Sequence, residues 1–180
     1  HYLLPHEEKL KARSGIGDMQ WWRLTRERSW QWTQSPKIVT KYFGDVGSFA
    51  FDVNGNYVVG QGYAWSWKIA ENDEYEIRDE FVLTNLYWAY TAILNSEVFR
   101  QLLKLHCPQV NGGQFDLSNR YVEVIRLPDL SDNNRVSGDL VEALVEMGHM
   151  IGRGELVGSQ SLSDTVAKVY GIPLSEWSLE

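Results

Sequence analysis

PKIVTKYFGDVGSFAFDVNGNYVVGQGYAWSW, residues Pro36–Trp67, is the stretch on which the fold turns. Phe49, Phe51 and Val53 alternate with small or polar residues, Asn54-Gly55 follows, and Tyr57-Val58-Val59 resumes the apolar pattern. Asn-Gly accepts the positive φ angles of a type I′ turn, whose twist suits two flanking strands. A β-hairpin with arms 49–53 and 57–59 is therefore predicted. Upstream, Lys37–Phe43 is β-branched and aromatic and reads as a third strand starting just after Pro36. Side chains repeat every second residue in a strand, which places Lys37 and Lys41 on one face as a basic edge. Downstream, Gly60 and Gly62 precede Tyr63, Trp65 and Trp67, whose strict alternation puts three rings on one strand face. Such rings either pack inward or form an exposed stacking surface.

Beyond this sheet the pattern changes period. The acid-rich run 71–80 (ENDEYEIRDE) reads as a solvated turn or a surface facing a basic partner, and its acids lack the spacing of a calcium loop. Phe81-Val82-Leu83 is a short strand candidate. Leu86, Tyr90, Ile93 and Leu94 then recur at helical spacing, Asn95-Ser96 interrupts, and Val98, Phe99, Leu102, Leu103 and Leu105 resume it until Pro108. Asn95 or Ser96 can cap the second helix of this pair. Residues 121–127 read as a strand closed by Pro128. In the tail, Leu140, Val141, Leu144, Val145 and Ile151 mark one amphipathic helix. Ser161–Asp164 has the form of a capping box opening another, which Gly171 and Pro173 stop. The fold class expected is α+β: a mixed or antiparallel sheet built around a β-hairpin, packed with a helix pair and a helical C-terminal tail. Residues 1–130 would form the core and 131–180 a helical extension on the same domain.

The first forty residues carry a different chemistry. Residues 3–13 (LLPHEEKLKAR) suggest a short charged helix, with Glu7 four residues before Lys11. Residues 21–32 (WWRLTRERSWQW) hold four tryptophans and three arginines. The tryptophans are either core with the arginines reaching outward, or part of a platform where guanidinium forks meet phosphates or guanine edges. The formal net charge of −7 argues against a simple nucleic-acid binder, yet it is unevenly spread. Residues 1–41 hold eight Lys/Arg against four acids, a balance of +4; the rest hold nine against twenty, a balance of −11. Polyanion binding depends on the local field, and only this first quarter suits it.

The usual catalytic constellations are missing. There is no G-x-S-x-G, H-E-x-x-H or P-loop, and Gly15-Ile16-Gly17 has no preceding strand that would make it a dinucleotide fingerprint. His1, His6, His106 and His149 are scattered, and the single cysteine, Cys107, reads as an incidental thiol that excludes an internal disulfide. A reducing cytoplasm fits that cysteine usage. No apolar run approaches the ~18 residues of a membrane span. The start at His1, without methionine or a signal-like segment, suggests a piece of something longer.

Four blocks together resemble the TaqI-like C-terminal specificity domain, the target-recognition domain of adenine-specific DNA methyltransferases and bifunctional restriction–modification enzymes. They are the stretch from Pro36, LYWAYTAILNSEVFRQLL (Leu86–Leu103), NGGQFDLSNRYVEVIRLPDL (Asn111–Leu130) and SDTVAKVYGIPLSEW (Ser163–Trp177), in the family's order. The resemblance implies a fragment that reads base edges and holds double-stranded DNA. A catalytic domain of the same chain, carrying the family's N-P-P-Y motif and S-adenosylmethionine, would methylate a flipped adenine. No catalysis, metal or cofactor is expected of the fragment itself. Pro36, Lys37, Ile38, Asn95, Ser96 and Pro128 match family landmarks and are expected to be structural. The DNA-contacting set expected here is Arg13, Arg23, Arg26, Arg28, Lys37, Lys41, Tyr42, Trp65, Trp67 and Lys68. Two rivals remain: an aromatic-rich carbohydrate- or peptide-binding module, and a scaffold that docks onto another subunit.

Overall fold

The computed structural model describes residues 2–18, 20–22, 34–67, 79–132 and 134–173, and a helix lies at its centre. In chain order the elements are a 3-10 turn (Leu4–His6), α1 (Glu7–Lys11), β1 (Lys37–Thr40), β2 (Phe43–Gly44), β3 (Phe49–Asp52) and β4 (Tyr63–Trp65). Then follow α2 (Glu80–Leu94), α3 (Glu97–His106), β5 (Phe115–Asp116), α4 (Asn119–Val122), α5 (Gly138–Gly152) and α6 (Ser159–Val169). The class is α+β. The short N-terminal helix forms as its charges suggest, with Lys11 Nζ 2.7 Å from Glu7.

Two cores meet on α2. Leu86, Ala89 and Ile93 pack with Val98 of α3, Leu144 of α5 and Val166 of α6. Tyr87 and Leu94 pack with Ile38 and Phe49 of the sheet and Phe99 and Leu103 of α3. A helix apolar on most of its circumference must be covered on both sides, and the sheet and the tail helices do this. The helix starts earlier than expected. Asp79 caps it, its carboxylate accepting from the backbone N–H groups of Phe81 and Val82 at 2.9 and 3.3 Å, so Phe81–Leu83 form a first helical turn and not a strand. Leu105, assigned to the apolar face of α3, is 76% exposed at that helix's end.

The sheet forms, but the hairpin is a different one. β1 lies between β3 and β4, antiparallel to both, with Ile38 opposite Phe51 and Trp65, and Thr40 opposite Phe49 and Tyr63. Hence the expected third strand, 37–43, forms only over Lys37–Thr40, and that strand is the hairpin partner of 49–52 and the centre of the sheet. Residues 57–59 are not a strand. Gly55 does take a positive φ of 67°, and its N–H reaches the Asp52 carbonyl at 3.3 Å, closing a turn. The Asp52 carboxylate then accepts the N–H groups of Asn56 and Tyr57 at 3.0 and 2.8 Å. A side chain thus takes the donors that a returning strand would have offered to β3. The chain leaves and comes back later as β4.

The free edge of β3 is closed by Asn95. Its Nδ2 donates to the Phe49 carbonyl at 2.9 Å, while its Oδ1 accepts the Phe49 N–H at 3.3 Å. Ser96 caps α3 by accepting the Phe99 N–H at 3.2 Å and donates its hydroxyl to the Ile93 carbonyl at 2.7 Å. The helix break at Asn95-Ser96 is therefore also a sheet edge clamp. Asn95→Ala leaves a backbone donor and acceptor of Phe49 unmatched and is expected to cost about 2–3 kcal/mol, read as a shifted midpoint in chemical denaturation.

Two further expectations are corrected. Residues 121–127 are not a strand: Asp116 accepts the Ser118 N–H at 2.9 Å, α4 follows, and Tyr121, Val122 and Ile125 turn together onto the sheet-side core. Val124, which a strand would have paired, is 53% exposed. The only strand here, β5, pairs with β2, antiparallel, in a second small sheet. The capping box at Ser161 is also absent, since α6 begins at Ser159 behind Gly158 and without a side-chain cap. Its end is as read. Gly171 has φ 68°, and Ile172 N–H reaches the Ala167 carbonyl at 2.9 Å in a Schellman turn. The segment before the tail is tied to α2 at Pro128: the Tyr90 hydroxyl donates to the Pro128 carbonyl at 2.9 Å, and burial pushes that phenol up to about 12.

Candidate nucleic-acid interface

The ladder of three strands fixes what each nominated side chain can do. Ile38, Thr40, Phe49, Phe51, Tyr63 and Trp65 share the face that meets α2 and α3. Lys37 belongs to the other face, opposite Asp52, yet it does not reach solvent. Its side chain and that of Asp52 are each 3% exposed, with Nζ 3.0 Å from the carboxylate. Lys37 is spent inside the fold, and the expected basic edge reduces to Lys41, which is exposed just past the end of β1.

Tyr42 lies beside Lys41 and is 46% exposed. Its ring centroid is 5.3 Å from Tyr63 and 4.9 Å from Phe43, and its carbonyl accepts the Leu117 N–H at 3.2 Å, so it is held at both ends. Tyr63 leads into a groove of about 810 Å³ along the edge strand β4, walled by Trp65, Trp67, Leu117, Asn119 and Glu123. Trp65 and Trp67 are half-buried. Trp65 stands edge-on to Phe49 at 5.6 Å, and the Trp67 backbone N–H donates to the Tyr87 hydroxyl at 2.8 Å. The choice between inward packing and display is resolved as both: one part of each ring is core, the other is groove wall.

Trp65 Nε1, Thr40 Oγ1 and Ser118 Oγ are buried without a protein partner among the described residues, and of these three residues Trp65 lines the groove. Buried polar groups are usually matched, and the indole N–H can only donate, so a shift of that ring would offer a donor to an acceptor lying in the groove. The charge is mixed. Arg120 lies over the Tyr121 ring at 4.5 Å and 3.8 Å from Asp116, whereas Glu123 brings a carboxylate into the groove itself.

Of the nominated residues, Trp65 and Trp67 line this groove, Tyr42 adjoins it through Tyr63, and Lys41 is exposed next to Tyr42 in the chain. Arg13 is engaged elsewhere: its guanidinium donates to the carbonyls of Leu10 at 3.0 Å and Trp21 at 2.7 Å, tying the N-terminal helix to the first tryptophan. Arg23, Arg26, Arg28 and Lys68 lie outside the described residues. Leu117, Asn119 and Glu123 were not singled out from sequence, because a strand over 121–127 gave no reason to bring residues 117–123 against β4. The oppositely charged pair Asp116-x-x-x-Arg120, at helical spacing, was the available signal.

Burial first, and Asp116 second, push the Cys107 thiol up to about 11, which holds it protonated and unreactive at neutral pH. Among the described residues no three His, Cys, Asp or Glu side chains gather as a metal ion would require. No helix among them is long and apolar enough to cross a membrane. No protein-family model matches the chain, and no curated protein matches its sequence.

Proposed function

We propose that this chain is the target-recognition part of an adenine-specific DNA methyltransferase of the restriction–modification type. In this reading it holds double-stranded DNA for a catalytic domain that binds S-adenosylmethionine elsewhere in the same protein. The observation that carries the reading is the Tyr42 ring beside Tyr63 at the head of an aromatic groove along β4, with exposed Lys41 next to it in the chain and the Trp65 indole in the groove wall. Lys41 would meet a phosphate and set register. Tyr42 and the tryptophan edges offer flat faces to an exposed base, a contact worth about 1–3 kcal/mol per base stacked. The four sequence blocks shared with that family add to it. So does the structural use of their landmarks, above all Asn95-Ser96 as the clamp on β3.

The test is selection of random duplexes on the immobilised chain, followed by anisotropy titration of the enriched site. A short enriched motif is expected, with affinity falling steeply as salt rises. Lys41→Ala is expected to weaken all sequences alike and lower the salt slope by about 0.9. Tyr42→Ala should weaken the selected site more than random duplex. No enrichment, or affinity indifferent to salt, would defeat the proposal. Glu123 in the groove favours one second reading, a neutral sugar or extended peptide lying along the tryptophans, and salt-insensitive binding is its signature.

A further inference from the structure

A second groove, of about 880 Å³, opens on the opposite core between the first turns of α2 and the outer side of α5. Its floor is apolar, with Leu86, Leu130, Val141 and Val145. At its mouth Phe81 is 73% and Val82 43% exposed, two large side chains left in water at the start of an otherwise buried helix. Its rim is acidic. Glu142 and Glu146 stand one turn apart on α5, exposed and in no ion pair of their own among the described residues. The groove's one arginine, Arg153, is matched chiefly by Glu155, with Nη2 2.9 Å from the carboxylate, and also feels the charge of Glu146. His149 lies on the Trp88 ring, centroids 4.5 Å apart. Asp79 and Glu80, both exposed, directly precede Phe81 and carry charge of the same sign.

We propose that this groove receives an amphipathic helix of basic character, supplied by a protein partner. A helix laid in a groove anchors through apolar residues at i, i+3/i+4 and i+7, which Phe81, Val82, Val141 and Val145 can cover. Lysine or arginine beside those anchors meets Glu142 and Glu146, whose one-turn spacing matches residues three or four apart on the incoming helix. A polyanion is repelled from this face, so the site is independent of the proposed DNA groove along β4.

The test uses the whole chain and a labelled 16-residue leucine/lysine peptide of helical amphipathic pattern. A peptide of the same composition in scrambled order and a leucine/glutamate counterpart serve as controls. Micromolar binding of the patterned basic peptide is expected in anisotropy, with at least tenfold weaker binding of both controls. Phe81→Ser with Val82→Ser, and separately Glu142→Lys with Glu146→Lys, should each weaken it tenfold or more. All four positions are exposed, so circular dichroism and unfolding midpoints should stay as in the parent chain. Equal binding of the scrambled peptide, indifference to both double variants, or no binding at all would overturn the proposal. So would a concentration-dependent dimer abolished by the Phe81/Val82 variant, which would assign the groove to a second copy of this chain.

Discussion

Gly148→Ala is expected to destabilise the protein by about 3 kcal/mol or more, the upper end of the range for overpacking a core. α5 lies so close to α2 at this point that a Cβ on Gly148 would sit 2.1 Å from the Trp88 carbonyl oxygen and 2.7 Å from its carbonyl carbon. Backbone cannot swing aside as a side-chain tip can, and moving the helices apart would open the core that α2 shares with α5 and α6. Gly152, one turn on, would meet the Trp88 ring edge at 2.5 Å. That ring can tilt, so Gly152→Ala should cost less, at the expense of the stack on His149. Gly138, at the start of the same helix, has nothing within 4 Å of its Cβ position, and Gly138→Ala should be neutral or mildly stabilising. Equilibrium denaturation of the three variants decides the matter. For a chain of this size the loss at Gly148 corresponds to roughly 6–12 °C in Tm. Parent-like stability of Gly148→Ala would mean that the helices do not approach this closely.

The second large effect is expected at the pair under the sheet. Lys37→Met should cost about 3–5 kcal/mol at neutral pH, because it leaves Asp52 charged and enclosed without its cation. The pH dependence separates this from simple loss of packing. Burial by itself raises the Asp52 carboxyl. The Tyr57 N–H, the Lys37 ammonium and the Asn56 N–H outweigh that, and the group is held below the usual carboxylate range. A depressed carboxylate contributes stability that is present above its unfolded pKa of about 3.9 and is lost as pH falls through the folded value. The parent chain should therefore lose stability below about pH 4. In Lys37→Met the lowering effect of the ammonium is gone, so the Asp52 carboxyl rises relative to the parent and protonation relieves the unpaired charge, and the gap between variant and parent should narrow as pH falls from 7 toward 4. A gap that stays constant over that range would remove the ion pair from the explanation. Asp52→Asn in the Lys37→Met background should recover part of the loss, since an amide oxygen can still accept one of the two loop N–H groups.

Both sites show why the fold was only partly legible. Helices came through well, because α2, α3, α5 and α6 bury faces whose period is written in Leu86, Ile93, Val98, Phe99, Leu144 and Val166. Ser96 as a cap and Gly171 as a stop are local chemistry and were readable as such. The hairpin was misplaced because Asn54-Gly55 is a turn signal whichever strands it joins. What diverted the chain was Asp52, whose capture of two N–H groups depends on a lysine fifteen residues earlier in sequence. Alternation over 121–127 suggested a strand, but Tyr121, Val122 and Ile125 turn together onto the sheet-side core, and a groove instead of a paired strand lies along the β4 edge. The DNA-contact set suffered in the same way. A lysine on a strand looks like surface until its cross-strand neighbour is known to be a buried acid.

From sequence alone came the α+β class, the helix pair with its break at Asn95-Ser96, a sheet built from residues 37–65, and the aromatic character of one edge. These follow from periods and turn residues, which act over a few positions of chain. Tertiary structure alone decided that β1 is central, that Lys37 is internal, that Trp65 and Trp67 are at once core and groove wall, and that α2 must admit Gly148 at backbone distance. Each of those depends on which segments far apart in sequence exclude water from one another, and burial of that kind leaves no periodic mark on the residues that share it.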